Sequence, residues 1–116
     1  MYETGCKCKE QTRFLKVEAD FCADSIWCNN CQSNLDLSRL ALSNKLKREL
    51  SEWALEFGKW LKLDTDELVS NAKELEDAHN VMGAILCEKV KEELGNSYMV
   101  FFTPSSLVRS YSQKLL

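Results

Sequence analysis

Cys6-Lys7-Cys8 and Cys28-Asn29-Asn30-Cys31 decide how the first third of this chain is read. Nineteen residues separate the two pairs, and Cys22 lies between them. Two close thiol pairs joined by a strand-like loop have the spacing of a zinc ribbon, in which each pair forms a tight knuckle and one metal joins the knuckles. Cys6, Cys8, Cys28 and Cys31 are therefore the expected zinc ligands. Four thiolates would close the tetrahedral shell, so the site is expected to be structural rather than catalytic. Alternatives stay open: Cys22 could replace Cys6 or Cys8, and the thiols could instead be free or form a disulfide set. Cys22 is otherwise expected to be a small buried residue at a strand end, and Cys87 to pack within a helix.

Between the pairs, Glu10–Cys22 reads as one or two short strands, with Leu15, Val17 and Ala19 on one side and Phe14, Lys16 and Glu18 on the other. Asn29 and Asn30 are expected to supply the left-handed residue of the second knuckle. After an apolar connection, Ser43 has the character of an N-cap. Leu46, Leu50, Trp53, Phe57 and Trp60 then recur at spacings of four and three, which predicts a helix over 44–62. Asp64 with Glu67 has the spacing of a capping box. A second stripe runs through Leu68, Ala72, Leu75, His79, Met82, Leu86, Val90 and Leu94 to Gly95, placed to end the helix near its final turn. Tyr98–Phe102 is β-prone and needs a partner, for which residues 13–19 are the available strand. Residues 105–116 read as a loosely packed tail.

The expected fold is α+β: an N-terminal zinc ribbon with a small antiparallel sheet, packed on an antiparallel two-helix hairpin, with the C-terminal strand returning to the ribbon sheet. By length the 116 residues make one domain, with 1–34 as the zinc-ribbon module, 35–95 as the helical hairpin and 96–116 as strand and tail. Residues 1–34 hold few large apolar side chains, so zinc is expected to matter for their folding and less for the hairpin.

Composition narrows function further. The net charge is −3, and residues 35–102 carry nine bases against thirteen acids, which argues against nucleic acid as a partner. No basic-then-apolar leader opens the chain, and no apolar run approaches membrane-spanning length, so a cytoplasmic, non-membrane protein is expected. His79 is the only histidine, and its place on an apolar stripe predicts a hydrogen-bonded core residue. With four glycines and no phosphate-loop pattern, the chain is read as a non-enzyme. Trp53 and Trp60 sit on one helical face two turns apart. An indole left uncovered there would anchor a protein partner.

The cysteine order at 6, 8, 28 and 31 resembles zinc ribbons of transcription and ribosome-associated proteins, which implies zinc. It also resembles the zinc centre of the redox-regulated heat-shock chaperone, with a shorter spacer here, which implies metal release on oxidation. Ile26-Trp27-Cys28-Asn29, Asn34–Leu37, Leu46–Leu50 and Glu88–Gly95 are similar to a set of small uncharacterised bacterial proteins. The function expected from these readings is a zinc-stabilised protein-interaction module, an adaptor or regulator. The alternatives are a redox-responsive zinc switch and a nucleic-acid-binding zinc ribbon.

Overall fold

The structure, a computed structural model, describes residues 4–10 and 12–114, with side chains through Tyr111. Strand β1 (Phe14–Val17) turns its odd residues inward, and Leu15 and Val17 are buried while Phe14 is exposed. It pairs antiparallel with β2 (Ile26–Cys28), Leu15 facing Cys28 and Val17 facing Ile26. The outcome at the chain's far end differs in direction from the expected antiparallel sheet. The C-terminal strand pairs with β1 in parallel, Phe14 beside its Met99 and Val17 beside Phe102. The reason is where the chain arrives: the Met99 N–H donates to the Arg13 carbonyl at 2.8 Å, at the start of β1, so the strand must run alongside it in the same direction. Residues 18–98 supply the long crossover that a parallel pair requires.

Helix α1 spans Asn44–Leu55. Ser43 caps it, its Oγ accepting from the Leu46 N–H at 3.1 Å. The Glu93 carboxylate takes both the Ser43 N–H (2.6 Å) and its hydroxyl (2.8 Å), which fastens the start of α1 to a segment fifty residues on. The helix stops seven residues before the expected end. Gly58 adopts φ +84°, left-handed, and the Phe21 ring lies where a Cβ at that position would stand. The apolar spacing continues through Phe57 and Trp60 although the helix does not. Trp60 instead enters the core from a turn that leads into a two-by-two hairpin, β3 (Leu61–Lys62) with β4 (Glu67–Leu68). Asp64 lies in the turn of that hairpin, so the expected capping box is not formed.

Helix α2 spans Ala72–Leu94 and ends at Gly95, φ +71°. It runs antiparallel to α1, as the cross-links show: Ser43 meets Glu93, Glu49 meets Lys89, and Trp53 meets His79. Its buried face is Ala72, Glu76, His79, Gly83, Leu86, Cys87 and Val90. Leu75 and Met82, expected on the core stripe, are exposed, as is Ile85 beside them. The last strand, β5 (Met99–Phe102), follows, with Val100 buried. The expected loose tail is a helix, α3 (Leu107–Lys114). Ser105 and the Val108 N–H both donate to one oxygen of the buried Glu76 carboxylate, at 2.8 and 3.1 Å. One continuous core joins Leu15, Val17 and Val100 of the sheet to Leu46, Leu50 and Trp53 of α1 and to Leu86 and Val90 of α2.

Candidate functional site

Cys6 and Cys28 are part of that same core and fully buried, while Cys8 and Cys31 lie at its edge. The first pair follows Gly5, whose φ of +96° swings the chain into the knuckle. Thr4 is buried, and its carbonyl accepts from the Asp36 N–H at 2.7 Å, which fixes the start of the segment. The second pair sits on the turn leaving β2. There the left-handed residue is Gln32, φ +63°, rather than Asn29 or Asn30. The turn is closed by the Gln32 N–H on the Cys28 carbonyl (2.9 Å) and the Cys28 N–H on the Ser33 carbonyl (3.0 Å).

The four sulfurs lie within 4.8 Å of one another. Cys8 to Cys28 is 3.6 Å, Cys6 to Cys28 is 3.9 Å and Cys6 to Cys31 is 4.0 Å. A tetrahedron with metal–sulfur bonds of about 2.3 Å has edges of about 3.8 Å, so the group fits a tetrahedral thiolate shell. All six cysteines are free thiols, and neither Cys22 nor Cys87 belongs to the group. Cys22 is exposed with φ +56°, against the expectation of a buried strand-end residue, because it sits in the turn before β2. Cys87 is buried within α2.

Backbone amides point at the sulfurs. The Cys8 N–H reaches Cys6 Sγ, the Lys7 N–H reaches Cys31 Sγ and the Cys31 N–H reaches Cys28 Sγ, each at 3.4 Å. Ser33 Oγ lies 3.3 Å from Cys31 Sγ, placed to donate to a thiolate. This hydroxyl, with the Lys7 amide, holds the Cys31 thiol down at about 5. At Cys28 burial pushes upward, but the Cys31 amide and the Thr12 hydroxyl outweigh it and the thiol is lowered. Cys8 is pushed up to about 12, by burial first and then by hydrogen bonding to the neighbouring thiols. Four thiolates together would repel one another. A dication would supply the charge that lets all four ionise. Ser33 was missed from the sequence. Its only signal there is a hydroxyl two residues past the second knuckle.

A second feature lies across the molecule. Trp53 and Trp60 are 5% and 2% exposed, so neither indole projects as the expected uncovered anchor. Trp53 stacks on His79 at 4.5 Å, and the two residues exchange hydrogen bonds. The indole N–H donates to the His79 carbonyl at 2.9 Å, and His79 Nε2–H donates to the Trp53 carbonyl at 3.0 Å. Trp60 packs against the same imidazole at 5.2 Å. His79 is thus the hydrogen-bonded core residue that its stripe predicts. These three rings floor an open groove of about 650 Å³ between α1 and α2. Among the described residues, no helix is long and apolar enough to cross a membrane.

A comparison with curated proteins returns no match. A family model described as Serratia CdiI immunity protein-like matches residues 13–105, from the residue before β1 to the Ser105 that anchors α3. Cys28 and Cys31 fall inside the matched segment, and Cys6 and Cys8 precede it. With four-fifths of its length so matched, the chain belongs to the Serratia CdiI immunity protein-like family.

Proposed function

We propose that the protein is an immunity protein: a non-enzymatic binder that neutralises a protein toxin by complexing it. The observation that carries this reading is the family match over residues 13–105, which takes in the sheet, both long helices and the groove between them. The histidine supports it from the structural side, because its Nε2 is committed to the Trp53 carbonyl and its ring is stacked on the Trp53 indole with Trp60 packed against it at an angle. It serves packing. Within this reading Cys6, Cys8, Cys28 and Cys31 hold a structural zinc ion, and the amide and Ser33 contacts to sulfur steady the thiolates around it.

Two measurements test the two halves. Toxin domains from the source genome are expressed alone and together with this protein. The reading expects one that halts growth alone, is tolerated with the protein, and runs with it as a stoichiometric complex on size exclusion. Rescue from none of them would sink it. Elemental analysis of protein purified without added metal is expected to give near-equal zinc and protein, falling to background in Cys28→Ser. Four titratable free thiols in the unaltered protein would refute the zinc site.

A further inference from the structure

The groove between α1 and α2 has two unlike walls. On α1 and at its C-cap, Glu49, Glu52 and Glu56 recur every three or four residues and form one rail. Glu49 is bridged to Lys89 at 3.3 Å on half-buried side chains, and Glu56 to Lys59 at 2.9 Å on exposed ones, where an ion pair is weak and readily exchanged. The Glu52 carboxylate is exposed and has no ion-pair partner among the described residues. On α2 the opposite wall is Leu75 and Met82, 39% and 48% exposed, with Ile85 and Val81 exposed on the same helix.

The floor adds rigidity and two unanswered polar atoms. Trp53 and His79 are locked by stacking and by reciprocal hydrogen bonds, and Trp60 packs at an angle against the same imidazole, so the surface a ligand meets is preformed. Trp60 Nε1 and His79 Nδ1 are both buried with no hydrogen-bond partner. Buried polar atoms normally find one. Both belong to residues that line the groove.

We infer that this groove is the docking surface for a cationic amphipathic segment of the protein partner, one that lays an apolar side chain against Met82 and the ring floor and turns Lys or Arg toward the α1 carboxylates. The charge decides the class of occupant. An acidic segment would face three glutamates and one lysine, whereas a basic one would find Glu52 unpaired and could displace Lys59 from Glu56. A flexible methionine suits the apolar contact, since it adapts to the side chain it meets. The identification of the partner as a toxin rests on the immunity reading; the preference of the groove for a basic, apolar segment does not.

The three indole N–H signals make the test local. Trp53 and Trp60 are in the floor, whereas the Trp27 indole donates to the Glu18 carbonyl in the N-terminal sheet and serves as the internal control. The full ¹⁵N-labelled chain is titrated with a short Lys/Leu peptide and, separately, with its Glu/Leu counterpart. The Lys/Leu peptide is expected to shift the Trp53 and Trp60 signals and leave Trp27 in place, and the Glu/Leu peptide to shift none. Glu52→Lys is expected to weaken the Lys/Leu response by about tenfold. No response to Lys/Leu, equal response to both peptides, or a shift centred on Trp27 would overturn the proposal. Growth rescue separates it from the immunity reading. If Glu52→Lys with Met82→Glu folds and rescues from the toxin as well as the unaltered protein, the groove is not the docking surface and immunity stands. If the Lys/Leu peptide binds as described but the protein rescues from no toxin, immunity falls and the groove stands.

Discussion

At Gly83 the missing side chain is a packing requirement. A Cβ there would lie 2.5 Å from a Trp53 ring carbon and 2.6 Å from one of Phe102, so both rings rest on the backbone of α2. In an exposed helix Gly→Ala gains about 1 kcal/mol of propensity. Overpacking a core costs about 1–3 kcal/mol, so the clash is expected to win. Gly83→Ala should lower the melting temperature and move the tryptophan emission; a higher melting temperature would mean that the rings yield. His79 gives a pH dependence. Burial lowers its pKa, opposed by the hydrogen bond to Trp53 and by the charges of Glu56 and Glu76. The unfolded chain, with an ordinary value near 6.5, therefore takes up its proton first as pH falls. The stability due to neutral His79 is complete above that value and is lost as pH drops from it toward the lower folded value. Melting temperatures followed from about pH 7.5 down to about 5.5, roughly one unit either side of a histidine's usual value, should fall more steeply for the unaltered protein than for His79→Gln. Parallel curves would remove His79 from the balance.

Among the elements, α3 depends on a partner thirty-two residues away in sequence. The buried Glu76 carboxylate accepts from the Val108 N–H and from Ser105 Oγ, so a fixed negative charge meets the positive end of the helix. Asn80 reinforces it, its amide and carbonyl groups exchanging hydrogen bonds with the Ser105 backbone at 3.1 and 2.8 Å. Glu76→Ala strands those donors at a cost of about 1–3 kcal/mol, and amide exchange at Val108 should quicken more than at Leu50. Unchanged protection at Val108 would show that α3 holds by other means. Ser105 and Ser106 before Leu107 are the local signal for this helix, but the anchor that fixes it is tertiary. The ends of α1 illustrate the same divide. Ser43 is a cap that can be read from its neighbours, whereas Phe57 and Trp60 keep a helical spacing that tertiary packing uses in another conformation. Gly58 was the available stop signal. The cysteine pairs were legible because a knuckle is local. The groove was not, because Leu75 and Met82 have the spacing of core residues, and their exposure depends on which face of α2 the twelve-residue α1 covers.

For the molecule as a whole, the question is whether the cysteine cluster stabilises a separable module. Reading residues 1–34 alone, metal loss should unfold that third and spare the helices. The packing argues otherwise. Cys6 and Cys28 share one core with Leu50 and Val90, and β1 is the middle strand, holding β2 on one side and β5 on the other. If the cysteine-bearing segment with β1 and β2 opens, β5 loses its strand partner and the sheet-facing sides of α1 and α2 meet water. Structural zinc contributes about 10–16 kcal/mol in small metal domains, as much as the whole stability of a typical domain, about 5–15 kcal/mol. If the cluster holds such an ion, chelation is expected to lower the melting temperature of the entire chain in one transition, with helix signal at 222 nm (the usual helical band) and near-ultraviolet tryptophan signal lost together. Cys6→Ser with Cys8→Ser tests the same point from the pair that precedes the family-matched segment. If metal joining the pairs is what stabilises the fold, that double variant should match Cys28→Ser. A helical signal that survives chelation unchanged, melting apart from the sheet, would restore the modular reading and confine the cluster's role to the first thirty-four residues.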